Sequence, residues 1–150
     1  MKTILHAFAG GLALFMLIIF LLAILFAEVE YEPQDIISIQ QTIFQAMGFY
    51  LLLIAIAGGI GFLLSKERSG RIVEMKKKRM LAIIAISVLI LFPINYALAN
   101  YDLAANGMVF MYTLEGIEST AIILLVALLG FNFRDGTRLT AIPPSPPSSS

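Results

Sequence analysis

Four apolar runs decide what this chain can become. They cover residues 4–27, 42–64, 80–99 and 108–131, and about 20 apolar residues suffice to cross a hydrocarbon core as a helix. A soluble domain could not hide them. The 150 residues are 59% apolar and 13% charged, against about 45–50% and about 25% in an ordinary soluble domain. In lipid only helices and closed barrels satisfy their own backbone, and these runs lack the alternation of barrel strands. The expected fold class is all-α, a polytopic membrane protein with a four-transmembrane-helix bundle. The helices are expected at about 4–27, 36–64, 80–99 and 108–131.

The first run is too long for a secretory signal, whose apolar region is about 7–15 residues. It ends in LFAEVE, without a small-x-small cleavage pattern, and reads as a retained membrane helix. The second helix is expected to begin early, near Pro33–Ile37. Ile36, Ile37, Ile43 and Phe44 already have helical spacing there, and Pro33 suits a first helical turn. Pro93 should kink the third helix and free a carbonyl.

The charges give an orientation. All 10 basic residues fall in three places. Lys2 precedes the first helix; Lys66, Arg68, Arg71, Lys76, Lys77, Lys78 and Arg79 sit between the second and third; Arg134 and Arg138 follow the fourth. The two remaining connections carry only acids: Glu28, Glu30, Glu32 and Asp35 in one, Asp102 in the other. The positive-inside rule then puts both termini and the middle loop in the cytoplasm. The run Lys76, Lys77, Lys78 and Arg79, with Arg134, reads first as a topology determinant. Contact with anionic lipid head groups or with a partner is the sharper alternative. Nucleic-acid binding does not fit a short juxtamembrane loop.

Cysteine is absent, which excludes disulfides, thiol redox centres, Fe–S clusters and thiolate metal sites. No Ser-His-Asp set, phosphate loop or HExxH motif can be assembled. GGIG at 58–61 lies within an apolar run and is not a nucleotide fingerprint. Ala55–Gly59 and Ala57–Gly61 have the small-xxx-small spacing of close helix packing, which is a simpler reading than a gap for a ligand. The end LTAIPPSPPSSS makes 139–150 a Pro/Ser-rich tail, expected to be disordered.

One feature resists the apolar reading: YTLEGIESTAIILL, residues 112–125, places Glu115 and Glu118 inside the fourth run. With a span starting at Met108 they lie about 10 Å and about 15 Å from its end, at 1.5 Å per residue. Shifted to 117–133, the span leaves Glu115 at the interface. No Lys or Arg is expected at that depth. Burial and mutual repulsion both oppose two bare charges, so at least one carboxyl should hold a proton unless water or a cation reaches it. Neutral partners are available: Tyr112 and Ser119 on the same helix, Asn95 and Tyr96 on the third, Tyr50 on the second. The expectation is a polar intramembrane cluster of Glu115, Glu118, Tyr112, Ser119, Asn95 and Tyr50. It serves either as helix-to-helix glue or as a proton, cation or small-ligand site. A metal site is not expected, because Glu-x-x-Glu lacks the inward His of dimetal bundles.

His6, the one histidine, sits near the start of the first helix. As a haem b ligand it would lack a second histidine in the same chain. A packed or interfacial histidine is the plainer reading, and no cofactor is expected.

The stretches LHAFAGGLAL, GGIGFLL, KKKRM and LLGFNFRDGTRLT resemble a family of small four-helix bacterial inner-membrane proteins, in order and spacing across nearly the whole chain. The last helix of that family resembles this one in carrying a glutamate at Glu118 and a polar residue at Glu115. The resemblance implies the architecture and a bacterial inner membrane, and supplies no chemistry. Within FNFRDGTRLT, Arg134, Asp135 and Gly136 could form a capped helix exit or a partner contact.

Together these observations favour a non-enzymatic membrane component, an accessory or anchoring subunit or a self-associating bundle. Two other functions stay open: a proton- or cation-linked transporter using Glu118 and Glu115, and a haem or quinone anchor using His6.

Overall fold

The computed structural model describes residues 1–66 and 70–140. They form α1 (Lys2–Glu30), α2 (Pro33–Lys66), α3 (Arg71–Ile86), a π-helical turn (Ser87–Leu91), α4 (Phe92–Ala99), the single turn α5 (Leu103–Asn106) and α6 (Met108–Thr140). No strand occurs among the described residues. Four helices are long and apolar enough to cross a membrane: α1, α2, the third span Arg71–Ala99, and Met108–Gly136 within α6.

Two spans reach well beyond their apolar runs. The third begins at Arg71 rather than 80, so the basic run 76–79 is helical. Lys and Arg are good helix formers, and an apolar helix below them supplies the nucleus. The fourth continues past 131 to Thr140. There is thus no helix exit at Arg134–Gly136. The Pro/Ser-rich tail expected from 139 is helical at 139 and 140, and from 141 it lies outside the described residues. Short connections force the spans antiparallel. Gly70 (φ +135°) precedes α3, and Gly107 (φ +76°) separates α5 from α6. Both have backbone angles that a side chain would resist. Asp102 caps α5 by accepting from Ala104 N and Ala105 N.

The spans pack as a square. α1 lies against α2 and α6, and the third span lies against the same two. The inward residues follow a seven-residue rhythm: Ala13, Leu17, Phe20, Ile24 and Ala27 on α1; Ile36, Gln40, Ile43, Met47, Tyr50, Ile54 and Ala57 on α2; Met111, Glu115, Glu118, Ile122, Leu125 and Leu129 on α6. Such a rhythm keeps one seam facing its neighbours in left-handed bundles. The outward faces are apolar as well, with Phe8 65% and Leu89 73% exposed, as a lipid-facing surface requires.

The third span breaks the rhythm. Met80, Ile83 and Ser87 keep it, but the next inward residues are Leu91, Asn95 and Leu98, one later than a continuous repeat would give. The π turn accounts for the shift. Phe92 N–H donates to Ser87 O, five residues back, so one extra residue is accommodated in that turn. In a plain α-helix, eight residues would leave Asn95 about 80° away from Ser87. With the extra residue absorbed, both face the core. Pro93, where a kink is expected, sits in the first turn of α4, directly after the π turn.

Candidate functional site

Four polar side chains meet inside the bundle, and all four are shut off from the surface: Gln40 of α2, Asn95 of α4, and Glu115 and Glu118 of α6. Gln40 Nε2 donates to Glu118 Oε2 at 2.9 Å and, at the limit of a hydrogen bond, to Glu115 Oε1 at 3.5 Å. Asn95 Nδ2 donates to Glu118 Oε1 at 2.8 Å and to Leu91 O at 3.1 Å. Glu118 is therefore the hub, each of its oxygens held by an amide from a different helix. Gln40 reaches it across the diagonal of the square. The cluster lies in the half of the bundle away from the basic residues. Gln40 is about 10 Å along α2 from Pro33, and Glu115 is about 10 Å along α6 from Met108.

The set is short of donors. Each amide has two N–H groups, and the four contacts above use them all. Gln40 Oε1, Asn95 Oδ1 and Glu115 Oε2 remain buried without a partner. Buried acceptors left unpaired are costly, so the arrangement calls for an added donor. An O–H on a carboxyl, a water molecule or a small cation each fits that description.

Of the side chains expected in this cluster, Asn95, Glu115 and Glu118 are brought together. Tyr112 is not: it is 44% exposed, because six residues of α-helix turn it about 120° away from Glu118. Ser119 is half-buried beside the seam. Tyr50 is buried, but about 15 Å along α2 from Gln40, and it shares a 2.8 Å hydrogen bond with Ser87. Tyr96 points outward, stacking edge-on to Phe44 with ring centroids 5.8 Å apart. Gln40 was not foreseen, although its place in the α2 rhythm with Ile36, Ile43 and Met47 marks it as inward.

A second group of polar contacts sits at the basic end. Arg79 Nη1 meets Asp135 Oδ2 at 2.5 Å, and Arg134 Nε lies 3.7 Å from Asp135 Oδ1. Arg134 also covers the Phe131 ring at 5.3 Å, and Lys77 covers Phe62 at 4.5 Å. Lys78 is exposed. Lys76 lies beside Gly136, where an added Cβ would come within 3.2 Å of its Nζ. His6 Nδ1 is 2.8 Å from Ala57 O; a carbonyl only accepts, so Nδ1 carries the hydrogen. The approach depends on Gly61, whose Cβ would stand 2.9 Å from His6 Cε1. Of the two small-residue pairs on α2, Ala57–Gly61 therefore serves this contact. Gly59 has open space around it.

Among the described residues no three His, Cys, Asp or Glu side chains are grouped to hold a metal ion. No family model matches the chain, no curated protein matches it, and no solved structure matches it.

Proposed function

We propose that this chain is a non-enzymatic membrane component, an accessory or anchoring subunit of a membrane complex. The observation that carries the reading is the division of its surfaces. The polar cluster is closed off inside, while the sides of the bundle present large apolar residues to lipid or to another membrane protein. A closed hydrogen-bonded cluster ties three of the four spans into one arrangement and offers no substrate a way in. The charge distribution favours an orientation with the basic end and both termini in the cytoplasm, and the resemblance described above favours a bacterial inner membrane. Gentle extraction of tagged protein followed by native mass spectrometry tests this. Additional subunits in the measured mass are expected; a bare monomer or homo-oligomer would sink the reading.

The donor shortage favours a second reading, a small proton- or cation-linked carrier working through Glu118 and Glu115. A carboxyl that takes up and releases a proton would alternately fill and vacate the missing donor position. Glu118→Gln then abolishes function at unchanged abundance and thermal stability. Parallel losses of function and folded protein return the cluster to a structural role.

A further inference from the structure

At the basic end, α1, α2, α3 and α6 enclose a cavity of ≈ 320 Å³. That is at the small end of the range for ligand pockets, about 300–1,000 Å³. Its walls are chiefly apolar, including Val73, Met80 and Leu129, and besides the hydroxyls of Thr3 and Ser65, the latter donating to Phe62 O, its polar groups are of two kinds. Lys76 and Lys77 bring positive charge. His6 and Asn132 bring acceptors: with Nδ1 of His6 spent on Ala57 O, Nε2 of the neutral ring holds a lone pair, and Asn132 Oδ1 is buried without a partner.

The chemistry that answers all three features is an acyl chain, a negative charge and hydroxyl donors in one molecule. We infer that the cavity is a binding site for one acidic phospholipid with a hydroxylated head group. Its phosphate meets Lys76 and Lys77, its hydroxyls donate to Asn132 Oδ1 and His6 Nε2, and the start of an acyl chain lies along Val73, Met80 and Leu129. Basic pockets between membrane helices are suited to anionic head groups. Charge alone would leave the two acceptors unanswered, so the hydroxyls should set the preference. This site is about 30 Å from the Glu118 cluster along α2, counting from Gln40 to Gly61, and the inference does not depend on the function proposed above.

The full-length protein, stripped of lipid in an uncharged detergent, is titrated with four probes. These are dioleoyl phosphatidylglycerol, dioleoyl phosphatidylmethanol (equal charge, no head-group hydroxyl), dioleoyl phosphatidylcholine (no net charge) and glycerol 1-phosphate (no acyl chain). Native mass spectrometry counts retained lipid, and thermal unfolding reports the stabilisation that specific binding brings. One phosphatidylglycerol per chain is expected, bound at least tenfold tighter than phosphatidylcholine and several-fold tighter than phosphatidylmethanol, with no stabilisation by glycerol 1-phosphate. Lys76→Gln combined with Lys77→Gln should weaken phosphatidylglycerol at least tenfold, and Lys78→Gln should leave it unchanged. Should the double variant fail to fold, Asn132→Leu keeps both charges and should erase the preference for phosphatidylglycerol over phosphatidylmethanol. Equal retention of the three lipids would overturn the inference. So would an equal loss with Lys78→Gln, stabilisation by glycerol 1-phosphate as large as by the lipid, or a preference untouched by Asn132→Leu.

Discussion

Asn95 of α4 and Glu118 of α6 are joined by a 2.8 Å hydrogen bond in the interior of the bundle, and the same amide holds Leu91 O. Glu118 accepts a second amide, from Gln40 at 2.9 Å, whereas the one amide contact of Glu115 is at 3.5 Å. The two carboxyls should therefore differ in what they contribute. Glu118→Ala strands two buried amides and is expected to cost about 2–3 kcal/mol, while Glu115→Ala costs about 1 kcal/mol or less. Unfolding of purified protein in mixed micelles ranks them. Equal costs would show that the 3.5 Å contact counts as much as the short ones.

Gly61 and Gly59 are neighbours on α2 with opposite expectations. At Gly61 a methyl group meets His6, so Gly61→Ala should displace the ring, break its bond to Ala57 O and lower the melting temperature. Gly59 has open space, and Gly59→Ala should be neutral or stabilising by up to about 1 kcal/mol, the helix-propensity gain. A drop of equal size in both would point to a role of the glycines outside this chain's own packing.

The Arg79–Asp135 pair ties α3 to α6 with Asp135 nearly buried and Arg79 partly exposed (side chains 9% and 24%). Its worth should fall between a surface pair and a buried one. Asp135→Ala is expected to cost about 1–2 kcal/mol, with part of the loss recovered in the exchanged chain carrying Arg79→Asp and Asp135→Arg. A double-mutant cycle measures the coupling; additive losses would mean the two side chains do not interact in solution.

The π turn makes a prediction about chain length. Leu89 lies in it and faces outward. In a Pro93→Ala background, where a regular α-helix is permitted, removing Leu89 takes out the extra residue. Asn95 then stays opposite Glu118. The shortened protein should fold, with a melting temperature within a few degrees of the Pro93→Ala protein. Loss of the folded fraction would show that the π geometry itself is needed.

The four spans and the polar character of the Glu115–Glu118 segment could be read from the order of residues, because lipid imposes length and hydropathy directly. Facing direction was harder. Helical spacing from Glu115 groups Tyr112 with the carboxyls, but a turn of about 120° from Glu118 sends it elsewhere. Gln40 follows an acidic stretch, and only the rhythm of Ile36, Ile43 and Met47 around it shows that it faces inward. Asn95 is inward only because the π turn delays the rhythm by one residue, and no spacing rule for α-helices yields that. The basic run looked like a loop by charge but continues a helix, since an apolar segment beneath it had already paid the entropy of nucleation.

Synthesis proceeds from the N-terminus, and the distribution of the buried amides then acquires a temporal meaning. Gln40 enters the bilayer on the second span and Asn95 on the third, yet the carboxyl that accepts from both lies on the last. A ribosome that has delivered three spans has delivered two amides with their main acceptor still untranslated. In hydrocarbon such groups cost several kcal/mol each. The half-made protein therefore has reason to stay with the insertion machinery or a chaperone until residue 118 arrives. The arrival of one glutamate marks the moment at which both amides gain their shared acceptor.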